Sequence, residues 1–222
     1  MSVELDNISL QEKFEEVIAA EDKLQIHDFL NQQNISDVAE LIYDNEDYES
    51  QIISHLSIHR AASVFKILEL PTQKRIIKDL PPFTTAELLN ELPADDRTAF
   101  LSELPSSAVR ELVKTLNPEE RKVTLSLLGY PEGSVGRLMT PDYIYVYEND
   151  TIDEVLNTIR RYAKNSETVD VIYVINHNGE LIDDIRIRDI ILAAPEKKIN
   201  ELIDGRFIAL SAEDDQELAN EA

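Results

Sequence analysis

Carboxylates are the side chains with the most capacity for chemistry in this sequence. The 222 residues include 44 Asp plus Glu against 21 Lys plus Arg, which gives a formal net charge of −23. Nucleic acids and anionic membranes require a cationic face, so cations or basic partners are the expected ligands. Asp95 and Asp96 form an acidic pair at the start of a predicted helix. They could hold a cation, or they could simply complement the helix dipole by about 0.3–1 kcal/mol each.

Other patterns that carry chemistry are sparse. His55 and His59 are four residues apart, as in helical metal-binding pairs, but no third ligand accompanies them in the sequence. The sequence has no Cys, which excludes disulfides and thiolate sites. It also has no G-x-S-x-G, P-loop or dinucleotide-binding glycine motif. We therefore expect a protein that is not an enzyme.

The N-terminal half is predicted to be a helical repeat. Its first 128 residues contain no Gly, and apolar pairs such as Ile76–Ile77 and Leu88–Leu89 precede prolines that recur every 10 to 13 residues. The prolines are Pro71, Pro81, Pro93, Pro105 and Pro118, and each of the first four follows a Leu. Proline starts a helix cheaply and disfavours helix in the residue before it, so each unit predicts a helix of about three turns. One such helix cannot bury its apolar face alone, which predicts a stacked superhelix over 1–130, with a helical bundle as the alternative.

The C-terminal half changes to strand-forming sequence. Its β-branched and aromatic runs predict the order β-α-β-β-α over 131–198, with Asn178–Gly179 as a hairpin turn. The predicted elements are strand 143–147, helix 152–163, strand 169–176, strand 181–187 and helix 188–194. A second copy is predicted to start in 199–222, with a helix at 199–203 and a strand at 207–210. The fold class is thus an α superhelix followed by an α/β domain.

The motifs of this half resemble a CBS (cystathionine-β-synthase-type) domain. The resemblance rests on Val135-Gly136-Arg137-Leu138-Met139-Thr140-Pro141, on Thr151-Ile152-Asp153-Glu154-Val155-Leu156, and on Arg188-Asp189-Ile190. Together with the Leu-Pro repeats in front, the order of repeat, linker and CBS domain is similar to the MgtE family of magnesium transporters. The resemblance covers about residues 35–222.

The resemblance implies a function. In this family a superhelical N domain precedes two CBS domains and a membrane pore. It implies dimerisation through the CBS domains and Mg²⁺ binding between the helical and CBS domains, which gates a pore absent from this sequence. Asp95 matches a family metal-associated acid with Asp96 beside it, and Asp215-Gln216-Glu217 matches a family Asp-Gln-Glu. The full-length protein would lie in the cell membrane, with this soluble region on the cytoplasmic face and the second CBS domain cut short.

Several positions depart from the family pattern. Ala99 and Ser63 stand where further family acids are expected, which implies fewer or displaced ions. Asp183 occupies a usual Gly position, and Arg186 occupies a hydroxyl position that often holds a ribose or phosphate. An adenine-nucleotide-sensing CBS module, using Arg188 and Asp189, is therefore an alternative function that these departures weaken. A helical-repeat interaction scaffold is a further alternative, and it leaves the CBS half unexplained.

Overall fold

The structure is a computed structural model and describes residues 9–163, 166 and 168–220, without the side chain of Asn220. The chain forms two compact units. The first comprises Met1–Leu92 and Phe100–Arg121, and the second comprises Pro93–Ala99 and Lys122–Ala222. Along the described part of the chain, no helix is both long and apolar enough to cross a bilayer.

Short α-helices follow one another through the N-terminal half, as the repeat predicts. A 3₁₀ helix, Glu46–Tyr48, occupies the acidic segment between the third and fourth of them. The helices are α1 Leu10–Ala19, α2 Lys23–Gln32, α3 Ile35–Asp44, α4 Glu49–His55, α5 Ile58–Phe65, α6 Leu70–Asp79, α7 Pro82–Glu91, α8 Ala94–Ser102, α9 Ser106–Thr115 and α10 Pro118–Leu128.

The Leu-Pro junctions end helices in the way the sequence predicts. Leu80 and Leu92 close α6 and α7 in an extended conformation, with ψ of 144° and 141°. A residue before proline is driven to this conformation by the clash with the proline ring. The prolines themselves lie within a residue or two of each helix start; Pro105, for example, directly precedes α9. Both leucine side chains are buried, so each junction also contributes to the core.

The apolar pairs of the repeat form the core of the first unit. Leu88, Leu89, Phe100 and Leu101 are each at most 3% exposed, and they belong to one cluster of buried side chains. Within this unit, helices pack on the helix after next: α2 on α4, α3 on α5, α4 on α6 and α5 on α7. This pattern is a stack of short helices, as predicted for the superhelix.

The second unit contains a three-stranded sheet with the order β1–β2–β3. The strands are β1 Tyr145–Tyr147, β2 Val171–Ile175 and β3 Leu181–Arg186. β1 pairs parallel with β2, and β2 pairs antiparallel with β3 through the predicted hairpin, where Gly179 has φ of +82°. Two helices, α12 Ile152–Tyr162 and α13 Ile187–Leu192, complete the β-α-β-β-α order, and a four-residue helix α11, Val135–Leu138, precedes it. The predicted fold class is therefore confirmed.

The predicted strand at 207–210 is wrong. Residues 203–211 have no regular secondary structure, and the helix predicted at 199–203 is a 3₁₀ helix, Ile199–Glu201. A strand needs a neighbour for its backbone hydrogen bonds, and β-propensity alone does not supply one. A further 3₁₀ helix, Gln216–Asn220, follows.

Candidate metal-binding residues

Asp95 and Asp96 lie in the first turn of α8, as predicted. Both side chains are half-buried. The Oδ1 atom of Asp95 is buried and accepts no hydrogen bond within the described residues. Burial of an unsatisfied carboxylate oxygen is unfavourable, and a bound cation would offset that cost. Asp95 is therefore chemically suited to contact a hard cation such as Mg²⁺.

A buried arginine follows this acidic pair, and it is not among the residues predicted from the sequence to be functional. Arg97 and Thr124 are both 0% exposed, and Arg97 donates from Nε to Thr124 Oγ1 at 2.8 Å. The bond joins α8 to α10 within the second unit. A signal was present in the sequence, because Arg97 is three and four residues before the buried Phe100 and Leu101. That spacing places all three on one face of the helix.

Asp215 and Glu217 lie at the start of the last 3₁₀ helix, and both are exposed. Asp215 Oδ1 accepts the backbone N–H of Glu217 at 2.9 Å, so this carboxylate also caps the local turn. Asp215 forms an isolated antiparallel bridge with Ser134, and Gln216 donates its backbone N–H to Gly133 at 2.8 Å. The two acids are thereby fixed beside the linker that leads into the CBS domain, residues 130–136.

Close backbone packing holds this arrangement. Gly136 donates its N–H to the carbonyl of Ala212 at 2.8 Å, and Val135 donates to Asp214 at the same distance. A Cβ atom on Gly136 would lie 2.8 Å from the Ala212 oxygen and 2.5 Å from the Tyr130 ring. Glycine is thus required at position 136 for the linker and the segment after the CBS domain to meet.

The four predicted acids, Asp95, Asp96, Asp215 and Glu217, all belong to the second unit. Within the described ranges, however, no three His, Asp or Glu side chains are grouped so as to hold a metal ion. Their role as one metal site stays a prediction.

The two histidines of the predicted helical pair have separate partners. His55 Nδ1 hydrogen-bonds the Gln51 carbonyl at 2.8 Å, and His59 Nδ1 contacts Glu91 Oε1 at 2.5 Å.

The predicted nucleotide-binding residues lie at the start of α13. Arg188 and Asp189 are both exposed. Asp189 lines a polar cavity of about 800 Å³, to which Arg186 and Arg206 also contribute. Asp183, the departure from the family glycine, is buried in β3 with 1% exposure.

The architecture described above defines a class of protein in which a helical-repeat domain is followed by a CBS domain. Two family models match the chain: the MgtE intracellular N domain at residues 33–133 and the CBS domain at residues 135–196. The chain belongs to the MgtE family and corresponds to its cytosolic region.

Individual relatives agree with this assignment. The magnesium transporter MgtE of Bacillus subtilis (strain 168) is 26% identical over 172 residues, which cover 78% of this chain and 38% of the relative. The Thermus thermophilus magnesium transporter MgtE is 35% identical over 108 residues, 49% of this chain and 24% of the relative. The chain thus spans less than two fifths of the length of these curated relatives.

A solved structure extends the agreement to the fold. The cytosolic domain of the Mg²⁺ channel MgtE in complex with ATP matches with a TM-score of 0.88 and 28% identity, covering 95% of this chain and 87% of that one. A soluble part of a magnesium transporter, at 21% identity and a TM-score of 0.84, shares the fold.

Proposed function

We propose that this chain is the Mg²⁺-sensing regulatory region of a magnesium transporter. In this proposal it works at the cytoplasmic face of the cell membrane, as a homodimer through its CBS domains, and acts on the pore domain of the full-length protein. Its task is regulation and not catalysis. Membership of the MgtE family supports the proposal. The observation that carries it is the buried Asp95 oxygen, which has no hydrogen-bond partner among the residues that the structure describes.

The chemistry of Mg²⁺ fits this set of acids. Mg²⁺ keeps several waters and takes one or two protein carboxylates, so it needs no complete cage of protein ligands. Asp95, with Asp96 beside it, would supply one contact, and the exposed Asp215 and Glu217 would supply another. A chain with a net charge of −23 repels itself when compact, and a divalent cation reduces that repulsion.

Gating follows from the same electrostatics. When Mg²⁺ is abundant, its binding favours the compact state of the regulatory region and keeps the pore closed. When Mg²⁺ falls, the carboxylates repel one another, the compact state loses stability and the pore opens. The ion acts by binding one of two states more tightly than the other.

Melting curves with Mg²⁺, and with K⁺ at matched ionic strength, test the proposal. At a tenfold excess over Kd, Mg²⁺ should raise the Tm by about 4 °C beyond K⁺. Asp95→Asn, and the double variant Asp215→Asn with Glu217→Gln, should each lose at least half of that rise. A control that removes one Asp charge and one Glu charge elsewhere, Asp47→Asn with Glu87→Gln, should keep the full rise in Tm. An equal rise in all four proteins would contradict the proposal.

Adenine-nucleotide binding is a second candidate function. The polar cavity beside Asp189, with Arg186 and Arg206 in its lining, is the observation that favours it. A solved relative was crystallised with ATP. Calorimetric titration with ATP and AMP tests this candidate, and Asp189→Asn should abolish any binding heat. Heat that is unchanged in this variant would place the nucleotide elsewhere.

A further inference from the structure

The Asp183 carboxylate is buried in β3 and accepts hydrogen bonds from three backbone N–H groups. The N–H of Asp184 donates to Oδ1 at 3.0 Å, and those of Asp204 and Gly205 donate to Oδ2 at 2.8 and 3.1 Å. Hydrogen bonds to a charged acceptor are stronger than neutral ones, and burial increases the dependence of the carboxylate on them. Asp183 therefore ties the CBS sheet to the chain that leaves the domain.

The turn at residues 204–206 is shaped to meet this carboxylate. Gly205 has φ of +70°, a left-handed conformation that glycine adopts without steric cost. In it, two successive N–H groups point to one oxygen, an arrangement that favours an anion. Arg206 closes the turn by donating its N–H to Asp204 Oδ1 at 2.9 Å.

This turn begins the segment that carries two of the proposed metal ligands. The segment, residues 204–217, is anchored at its start by Asp183 and near its end by the linker. Ala212 and Asp214 accept from Gly136 and Val135, as described above. Between the anchors, residues 206–211 form neither helix nor strand. The position of Asp215 and Glu217 thus depends on two attachments at the ends of an irregular stretch.

We propose that Asp183 is a positioning residue for the metal response, because it fixes the start of the segment that holds Asp215 and Glu217. This inference rests on the proposed function. Ligands that are ordered before binding lose less conformational entropy when the ion arrives. Release of the 204–206 turn frees the segment on one side, and Mg²⁺ must then order it again.

Asp183→Asn tests the anchor with the smallest change of shape. The amide replaces one acceptor oxygen by an NH₂ group, which is a donor that faces other donors. Asp184→Asn is the matched control, since it removes the same charge from the next residue of β3, which is exposed. Both variants are made in the full chain, and circular dichroism verifies that each is folded.

Two readouts separate the anchor from the metal site. Hydrogen exchange of the Asp204 and Gly205 amides should be about tenfold faster in Asp183→Asn and unchanged in Asp184→Asn. The Kd for Mg²⁺, from calorimetry, should rise about fivefold in Asp183→Asn alone. Unchanged exchange, or faster exchange with an unchanged Kd, would overturn the inference. If the wild type binds no Mg²⁺ at all, the proposed function fails, and faster exchange would then establish the anchor without a metal role.

A measurement on the wild type covers the case in which Asp183→Asn does not fold. Coupling between two sites is reciprocal. If the anchor lowers the Kd for Mg²⁺ about fivefold, Mg²⁺ must in turn slow the exchange of the Asp204 and Gly205 amides by about fivefold. K⁺ at equal ionic strength should leave them unchanged. Exchange that does not respond to saturating Mg²⁺ would also overturn the inference.

Discussion

Asn31 and Asn90 make the same set of hydrogen bonds at two levels of the first unit. Asn31 donates to the carbonyls of His27 and His55 and accepts the N–H of Ser57. Asn90 donates to Ala86 and Thr115 and accepts the N–H of Asn117 at 2.8 Å. In each case one amide connects the end of a helix to a helix junction 24 to 27 residues further along the chain.

Replacement of Asn90 should therefore destabilise the helical unit. Asn90→Ala leaves the Asn117 N–H without its acceptor and removes two donor contacts, at an expected cost of about 1–2 kcal/mol. Urea unfolding measures this cost. Asn157→Ala, on an exposed face of α12, is the control and should change stability by less than about 0.5 kcal/mol. Equal effects of the two changes would mean that the junction amide contributes nothing specific.

Thr124→Val tests the buried bond to Arg97. Valine keeps the shape of threonine but removes the Oγ1 acceptor, so the buried guanidinium loses the partner of its Nε atom. We expect a loss of about 1–3 kcal/mol in the free energy of unfolding. Thr115→Val, at an exposed position, should be nearly neutral. If both variants have the same midpoint of urea unfolding as the wild type, the Arg97–Thr124 bond contributes nothing to the free energy of unfolding.

The ion pair between Glu49 and Arg75 should be important for the thermal stability of the first unit. The Glu49 side chain is 6% exposed, and Arg75 donates to it from Nε at 3.0 Å and from Nη2 at 2.5 Å. Donation of these hydrogen bonds to the Glu49 carboxylate raises the pKa of Arg75. Arg75→Met leaves a buried carboxylate without its partner, and we expect the Tm to fall by about 4 °C or more.

The double variant Glu49→Leu with Arg75→Met provides the comparison for this pair. It removes both charges and should recover part of the stability lost in Arg75→Met. Thermal melts of the wild type, the single variant and the double variant measure how much stability is recovered. A double variant less stable than the single variant would show that the pair is not the cause of the loss.

Glu154 should make stability depend on pH. Hydrogen bonds from the N–H and the hydroxyl of Thr151, at 2.8 and 2.9 Å, lower the pKa of Glu154. A carboxyl with a lower pKa in the folded state stabilises the protein above its ordinary pKa of about 4.3. This contribution disappears as the pH falls through the lowered value. Glu154→Gln should therefore be less stable than wild type at pH 7 and approach it below about pH 4.

Unfolding curves from pH 3 to pH 7 measure this difference. Glu132→Gln, at an exposed position, is the control and should show no such convergence with the wild type. A difference between Glu154→Gln and wild type that is constant with pH would assign the loss to the shape of the cap and not to its charge.

The sequence was most informative where structure is local. Prolines, apolar pairs and the Asn178–Gly179 turn act over a few residues, so the helices, the hairpin and the CBS order could be predicted. The Asn90 junction contacts and the Arg97–Thr124 bond join residues 25 to 27 apart on different helices, and no local pattern specifies those partners. The strand expected at 207–210 failed for the same reason, since it needs a neighbouring strand. Asp183 was identified only as a departure from the family pattern, and the three backbone donors around it became visible in the fold.

The packing of each helix on the helix after next has a consequence for synthesis on the ribosome. These contacts join residues about one intervening helix apart, such as Asn31 with Ser57 and Asn90 with Asn117, so each loop that must close is short. Each new helix packs on a helix that has already left the exit tunnel. We expect the helical unit to assemble progressively during translation. The parallel pairing of β1 with β2 also closes over one intervening helix, since Tyr145 pairs with Tyr173. The CBS sheet should therefore form later because it is translated later.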